Sequence, residues 1–549
     1  PDCPCNFYQA SNDPFFLQEF GTSCFITQYS EVTLGARKCC YSTTTQSLLS
    51  NTADSGYLMM YHPITMFYFR FYPLHQTLDV EPFDNCCTNA GLCNLFFEQR
   101  LSSDCSRYVP PDLGLTSGDP HFKTLDGFDY TYNGIGEYTL LAVYNSTDNV
   151  KTLELQTRTI QAQDKNGSLI AATIFGGFAA SDLTNGGSFQ VEMNLDRTNL
   201  IVKINGRDFT VAFHNSSSFE ERQDTVYVKK RGDNSLRVTF PAGLSMDISL
   251  KVGMLENKIQ LQGQLKNLSR FKGLLGNING DPNDDLELPD GTILSSNLTE
   301  KEIYNEFGEK WRVNETTSIF TYEPGFSSED FQNKTFVPVY YDSFSTSDLA
   351  DATAVCGNVE GCIFDYLALD RDETVANNTR NIQQETEQEI IQAENKIPVL
   401  SGTIRLNATV NQSTDVIASA RDANNEDVTV FVSGSITGEL TATQNATLTS
   451  TWTPQQYNDN YNISYYAQDS KNGISSTETV AIYLCPGCVN GVCDFDNVIS
   501  QSSRQLFYKV SCKCGVGWTG ENCDVDIDGC SGLITCTAGI KCIDKSTAE

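Results

Sequence analysis

The placement of cysteine constrains this chain more than any other feature. Nine of the 20 cysteines precede residue 106, two stand at Cys356 and Cys362, nine follow residue 484, and residues 106–355 hold none. The cysteine-rich ends read as small folds held by disulfides, while the long middle must fold without them. Twelve N-x-S/T sequons, at Asn145, Asn166, Asn215, Asn267, Asn297, Asn314, Asn333, Asn377, Asn407, Asn411, Asn445 and Asn462, all lie outside the cysteine clusters. Clustered cysteines together with sequons predict an oxidising, extracellular setting and a glycosylated chain. At 549 residues the chain exceeds a single core, so four or five domains are expected.

A formal charge of −32 excludes nucleic acid as a partner, because phosphate binding needs a basic face. Such a surface suits divalent cations; it either keeps a secreted protein soluble or gathers calcium at a surface or mineral. The sequence shows no secretory signal and no apolar run of about twenty residues, so no membrane span is expected within it. The stretch from Tyr57 to Leu74 comes nearest, but His62, Pro63, Arg70 and Pro73 break it and it reads as aromatic strands. The sequence reads as a processed or truncated piece, with any anchor outside it.

Two blocks dominate the middle: Gly118 to Leu141, GDPHFKTLDGFDYTYNGIGEYTLL, and Gly273 to Thr292, GLLGNINGDPNDDLELPDGT. Both set Gly, Asn and Asp between apolar and aromatic alternations, which predicts strands joined by tight, oxygen-rich turns. Between them period-2 alternation recurs at Leu200, Val202 and Ile204, at Phe209, Val211 and Phe213, and at Val226 and Val228. Antiparallel sheet with one wet face is expected. Together with FGEKW at Phe307 to Trp311, the blocks resemble the two ends of a von Willebrand factor type D module. Where most of that family has G-L-C-G-N this chain has GLLGN, with Leu275 in place of the cysteine. That departure resembles the membrane mucins and sushi-domain relatives, in which an AMOP module precedes the type D module.

The opening fits that layout. Cys3, Cys5, Gln9, Ala10 and Phe16, then the pairs Cys39–Cys40 and Cys86–Cys87, Cys93, Cys105 and Tyr108-Val109-Pro110-Pro111 resemble an AMOP module. Vicinal cysteines rarely bond each other and instead join different neighbours. Nine cysteines are an odd number, which leaves either a lost N-terminal partner or a free thiol. After the type D module, CGNVEGCIFDYLAL carries Cys356 and Cys362 at a spacing suited to a local disulfide, and resembles the segment that follows the module in the same mucin branch. Asp370 to Lys396, with Ile382, Ile390 and Ile391 as its apolar positions, reads as a short polar helix or spacer ending at Pro398.

From Val399 to Leu484 alternation returns at Ile404, Leu406, Ala408 and Val410, at Val428, Val430 and Val432, and at Val480, Ile482 and Leu484. With Trp452 this predicts an immunoglobulin-like sandwich without its disulfide. The run from Cys485 to CKCGVGWTGENC resembles an EGF-like module. That resemblance implies the pairs Cys485 with Cys493, Cys488 with Cys512, and Cys514 with Cys523, and leaves no cysteine for zinc. DVDIDGC, Asp524 to Cys530, resembles the start of a calcium-binding EGF-like module, with Cys530, Cys536 and Cys542 as its first cysteines.

The expected fold is therefore mainly β and multidomain. Its parts are an AMOP module over 1–112, a type D module over 113–315, a following segment with a polar helical linker over 316–397, a sandwich over 398–484, an EGF-like module over 485–523, and the start of a second over 524–549.

Signatures of catalysis on other molecules are absent: four histidines offer no H-E-x-x-H, and neither a G-x-S-x-G elbow nor a phosphate-binding glycine loop occurs. Asn277, Asn279, Asp281, Asn283, Asp284 and Asp285 place oxygens on alternate positions and then double them, in a turn opened by Gly276 and Gly280. Calcium takes six to eight oxygens, and this run either binds it or is a plain Asx-rich turn. The type D resemblance implies calcium as the ligand and adds Asp126 to the set. Gly118-Asp119-Pro120-His121 resembles the site at which several mucins of this group cut themselves, between Asp119 and Pro120 with His121 assisting. The same tetrapeptide builds only a turn in relatives that stay whole. The resemblance implies an extracellular mucin-like adhesion or matrix protein with protein, glycan or mineral partners. The tethered ectodomain of a mucin-like receptor and an acidic matrix component of a mineralised skeleton are the alternatives.

Overall fold

The computed structural model describes residues 2–527, apart from 29–34, 45, 51, 64–71, 104, 106, 165, 224, 334, 423, 458, 459, 472 and 502–505. The chain is mainly β and multidomain, and it divides into two compact units. One comprises residues 1–4, 9–39 and 51–394; the other comprises 5–8, 40–50 and 395–549. Cys530, Cys536, Cys542 and nearly all of residues 524–549, the expected start of a second EGF-like module, lie outside the described residues.

In the first unit the centre is a pair of antiparallel sheets. One runs in the order Arg207–Asp208, Leu200–Ile204, Ser188–Met193, Leu169–Asp182, Lys151–Gln163, Gly136–Asn145, Ser269–Lys272. The other runs Glu220–Gln223, Val226–Gly232, Ser235–Phe240, Leu244–Lys251, Met254–Leu261, Asp112–Ser117, His121–Lys123, Asp129–Thr131. Both contribute to one hydrophobic core, in which Leu200, Val202, Ile204, Val226 and Val228 are fully buried as their alternation predicts.

Two expectations fail here. Phe209 to Phe213 is not a strand: Thr210–Asn215 is a helix that buries Phe213 and exposes Val211. Asp208 Oδ1 accepts the Thr210 N–H at 2.7 Å as the chain turns into it. Phe209 and Phe213 also stand four apart, so a helix serves them as well as a strand does. Nor is one face of the sheet wet throughout. Gly136–Asn145 and Leu169–Asp182 are buried on both faces over most of their length, because later chain covers them. Phe320 packs against Gly177, and Leu369 joins Ala162, Ala172, Ile174 and Met254 in a separate cluster.

Beyond the sheets come three helices, Thr346–Cys356, Glu360–Ala368 and Glu373–Glu394, with Cys356 bonded to Cys362. Ser345 caps the first through a capping box with Asp348. The third is no short spacer: it spans 22 residues, buries Ala376, Thr379, Ile382 and Thr386, and places Glu389 2.7 Å from Lys258.

The cysteine-rich opening contains a four-stranded sheet and the bonds Cys3–Cys39 and Cys87–Cys93. Cys5, Cys24, Cys40 and Cys105 are also bonded, and Cys86 is the free cysteine among those described. Of the stretch expected as aromatic strands, Leu58–Met59 is a strand but Tyr72–His75 is helical. Buried Asp79 accepts the Met60 and Tyr61 N–H groups at 2.8 and 3.0 Å and pairs with Arg100 at 2.9 Å.

The second unit holds a sandwich core of Leu406, Ala408, Val416, Val428, Val430, Val432, Trp452, Ile482 and Leu484 among others. Ile404 shares the alternation of Leu406 and Ala408 but is 69% exposed, because it lies before the strand Arg405–Thr409 begins. Ala481–Cys485 pairs in parallel with both Arg405–Thr409 and Phe507–Cys514, so the cysteine-rich hairpin continues a sheet of the sandwich and lends Phe507 to its core. Cys485–Cys493, Cys488–Cys512 and Cys514–Cys523 close that hairpin. No helix among the described residues is long and apolar enough to cross a membrane.

Candidate functional site

Gly118-Asp119-Pro120 forms the tight turn between strands Asp112–Ser117 and His121–Lys123, which pair through Leu115–Lys123, Thr116–Phe122 and Ser117–His121. Gly118 has φ +62°, and a Cβ there would strike the Asp365 carboxylate, His121 and Thr379. Only glycine meets both demands.

The turn is sealed from water. Asp119 is fully buried; its Oδ1 accepts the Thr173 N–H at 3.1 Å, and its Oδ2 has no hydrogen-bond partner. Asn133 Oδ1 holds Thr173 in place by accepting its N–H and hydroxyl at 2.9 and 3.1 Å. Burial, and then the neighbouring Asp365 carboxyl, push the Asp119 acid well above its ordinary range despite the Thr173 hydrogen bond.

His121 is occupied at both ring nitrogens. Nε2 lies 2.8 Å from Asp365 Oδ1 and Nδ1 lies 2.9 Å from the Thr131 hydroxyl, while Phe364 meets the ring edge-on with centroids 5.8 Å apart. Asp365 Oδ1 also accepts the Asp119 N–H at 3.1 Å, and Thr379 donates its hydroxyl to Asp365 Oδ2. The four residues read from sequence are thus joined by two that sequence did not assign, Asp365 and Thr379, on the second and third helices. The available signal for Asp365 was an acid inside an apolar run, Ile363-Phe364-Asp365-Tyr366-Leu367.

The oxygen-rich turn forms a second cluster in the same module. Asp126 Oδ2 accepts the N–H groups of Asn279 and Gly280 at 2.8 and 3.0 Å, which brings the first block onto the second. Asp285 Oδ1 accepts the Asn277 N–H at 3.1 Å and its Oδ2 accepts the Thr124 hydroxyl at 2.6 Å. The amide groups of Asn277 and Asn279 both turn to Asp284 Oδ1 at 3.1 Å. Asp281 Oδ1 accepts the Asn283 N–H at 3.0 Å, and the Asp281 N–H donates to Asn279 Oδ1 at 2.8 Å. Asp126 Oδ1 and Asn277 Oδ1 are buried without a hydrogen-bond partner. Burial raises the Asp285 carboxyl to about 6; Thr124 and Asn277 pull it down, and the charges of Asp126 and Asp284 push it up. Gly276 at φ +87° allows the close approach, since a Cβ would strike Asp285.

Among the described residues, the one group of three cysteine, histidine or acidic side chains whose ligand atoms lie within 4.8 Å of one another is Cys485, Cys488 and Cys493. Their sulfurs are consumed by disulfides and hold no metal. Of the twelve sequon asparagines, none whose exposure is described is buried; Asn145 and Asn377 are half-buried and Asn267 is not described.

Two stretches of the chain match known domain families. Residues 114–292 match the von Willebrand factor type D domain, and residues 342–390 match the Mucin-4-like C8-3 domain. Asp119 and His121 fall in the first match, Asp365 and Thr379 in the second. The chain is 27% identical to Sushi domain-containing protein 2 of Homo sapiens over 403 residues, 67% of this chain and 47% of that protein. It is 25% identical to Mucin-4 of Homo sapiens over 572 residues, 100% of this chain and 10% of that protein. With Protein mesh of Bombyx mori it shares 28% identity over 323 residues, 54% of this chain and 20% of that protein. The chain therefore spans about half the length, or less, of the curated relatives it matches.

Proposed function

We propose that this chain acts outside the cell as a mucin-like adhesion or matrix protein, glycosylated at its sequons, whose type D module is stabilised by calcium and cuts itself between Asp119 and Pro120. The mucin and type D relatives support the extracellular role. The observation that carries the self-cleavage is an acid with a raised pKa, buried beside its own prolyl bond, with one carboxyl oxygen uncommitted.

The step balances within the chain. The Asp119 carboxyl oxygen bonds to the Asp119 carbonyl carbon, the bond from that carbon to the Pro120 nitrogen breaks, and the carboxyl proton passes to the leaving nitrogen. Water then opens the cyclic anhydride, leaving Asp119 as a new C-terminus and Pro120 as a new N-terminus. Because the protonated acid already carries the proton the nitrogen needs, a raised pKa extends cleavage toward milder pH. His121, engaged at both nitrogens, holds the turn; the proton comes from Asp119.

Asp126, Asn277, Asn279, Asp284 and Asp285 would hold calcium. Two of their oxygens, Asp126 Oδ1 and Asn277 Oδ1, are buried without partners, and the charges of Asp126 and Asp284 act on Asp285, a charge that a divalent cation would neutralise; the three carboxylates do not all come within 4.8 Å of one another, so binding draws them closer. The cation supplies that neutralisation and closes the first block onto the second. Asp281, whose Oδ1 accepts the Asn283 N–H, belongs to the same turn and to the proposed set.

The reading is tested on the full chain by intact mass and N-terminal analysis after incubation between about pH 5 and 7.5, with Asp119→Ala as control. Two fragments meeting at Asp119–Pro120 are expected, absent in the variant. They should remain associated, because Asp112–Ser117 stays paired on one side to Met254–Leu261 and on the other to His121–Lys123. A single chain at every pH, or a new N-terminus other than Pro120, ends the self-cleavage reading. The net charge of −32 favours a mineral-facing matrix as the second reading, tested by calcium-dependent retention of the intact protein on calcium carbonate.

A further inference from the structure

We infer that Asp365, on helix Glu360–Ala368, is the positioning residue of the Gly118–His121 turn, and that self-cleavage is conditional on the packing of the three-helix unit against the type D module. The inference rests on the self-cleavage reading and names what controls it.

Asp365 is completely buried, where an unpartnered carboxylate would be costly. Three donors converge on it: the Asp119 N–H at 3.1 Å, His121 Nε2 at 2.8 Å and the Thr379 hydroxyl. With Nε2–H donating to Asp365, Nδ1 accepts from the Thr131 hydroxyl, so one neutral tautomer satisfies the ring. The first two donors stand on either side of the Asp119–Pro120 bond. One oxygen on a helix about 240 residues away in sequence therefore holds both ends of the segment that must react.

Two further features mark a built site. Gly118 brings the backbone so near Asp365 Oδ2 that no side chain fits. Phe364, the residue before Asp365, closes the other edge of the His121 ring. An attack by Asp119 on its own carbonyl depends on holding oxygen and carbon in line, and a fixed turn provides that.

The helix also acts through charge. Asp365 opposes ionisation of Asp119, as does Glu300 from the helical turn Glu300–Glu302, while His121 faces both Asp365 and Glu300 from its strand. With Asp365 in place, Asp119 keeps the proton its leaving group needs. Loosening the helices, which the Cys356–Cys362 bond ties together, withdraws the clamp and the charge at once.

The experiment compares the full wild-type chain with Asp119→Ala, Asp365→Asn and Asp365→Ala, following fragment formation between about pH 5 and 7.5. Asp365→Asn keeps an acceptor at the same place and removes the charge, so the pH of half-maximal cleavage should fall by about one unit. Asp365→Ala removes both and should slow cleavage about tenfold or more at pH 6. Amide exchange over Val226–Gly232, remote from the turn, reports whether Asp365→Ala stays folded; if it does not, the Asp365→Asn profile decides alone. A wild-type chain that is never cut ends the self-cleavage reading and this inference together. A wild-type chain that is cut, with an Asp365→Asn profile unmoved in pH, overturns the inference and leaves the cleavage reading standing.

Discussion

The type D module and the cysteine-rich tail solve the same problem by opposite means. The tail, residues 485–523, holds its hairpin with three disulfides and leaves Val489, Val492 and Val516 exposed. The module has no cysteine, and fixes its sheets with a continuous core and a buried ionic clamp. Arg158, 3% exposed, donates from Nε to Glu137 at 2.9 Å and pairs with Glu192, while its guanidinium lies 3.6 Å from the Phe331 ring centroid and 4.4 Å from that of Phe320. Glu137 in turn accepts hydroxyls from Ser318 and Tyr322 at 2.7 and 2.6 Å. One arginine thereby ties the chain after the module back onto the sheet. A segment too small to bury a core needs covalent bonds; one with about 40 buried apolar side chains does not.

The largest effect that could break this contrast is reduction. Removing a native disulfide from a small domain costs about 2–5 kcal/mol. In a mild reductant, amide exchange over the edge strand Gly491–Gln501 should rise toward the unprotected rate, while Gly136–Asn145 and Leu169–Asp182 should remain protected. Equal loss in both regions would show that the module depends on disulfides elsewhere in the chain.

Next in size is the clamp. Arg158→Met leaves Glu137 buried and unpaired, at a cost of about 3–5 kcal/mol, read as a lowered thermal midpoint and as exposure of residues 316–332 to protease. Adding Glu137→Gln should recover part of the loss, because the penalty is an uncompensated charge. Arg158→Lys should not restore stability, since an ammonium lacks the planar fork that meets two carboxylates and stacks on rings. Loss of 1 kcal/mol or less in Arg158→Met, on the order of a surface pair, would remove the clamp from the comparison.

The two regions were also unequally legible. In the tail, the observed bonds join the cysteines in the order the EGF-like resemblance implies, because spacing and turn residues of a short fold are local. Leu200, Val202, Ile204, Val226 and Val228 were legible for the same reason: their alternation is a property of the strand itself. Phe209 to Phe213 was not, since an i, i+4 pair also fits period 2. Long-range partners left no local trace. Asp119 meets Asp365 across 246 positions, and Glu137 meets Tyr322 across 185. Among the turn oxygens, sequence placed Asp126 with Asn279 and Asp285 through family resemblance; it did not show that Thr124 would hold Asp285.

The smallest effect concerns the oxygen-rich turn of the module, where calcium is proposed to bind. Asp285 is raised from 3.8 to about 6 in the folded chain. A raised acid favours the fold below its unfolded pKa, and that contribution is lost as pH climbs through the folded value. Without calcium, Asp285 should therefore lower stability between about pH 4 and 7, by on the order of 1–2 kcal/mol at 1.36 kcal/mol per unit, discounted for partial solvent screening. Asp13 and Asp119 are raised as well and act in the same direction, so the wild-type slope alone does not identify the residue. The difference between wild type and Asp285→Asn does: the variant should lose part of the slope. Calcium at a hundred times its dissociation constant should add about 2.7 kcal/mol at neutral pH and add progressively less toward pH 5, where a proton competes for the same carboxylate. Asp284→Ala with Asp285→Ala should abolish the rise in thermal midpoint. A calcium response unchanged in that double variant would leave the module held by its core and the Arg158 clamp alone, with the oxygen-rich turn reduced to a turn.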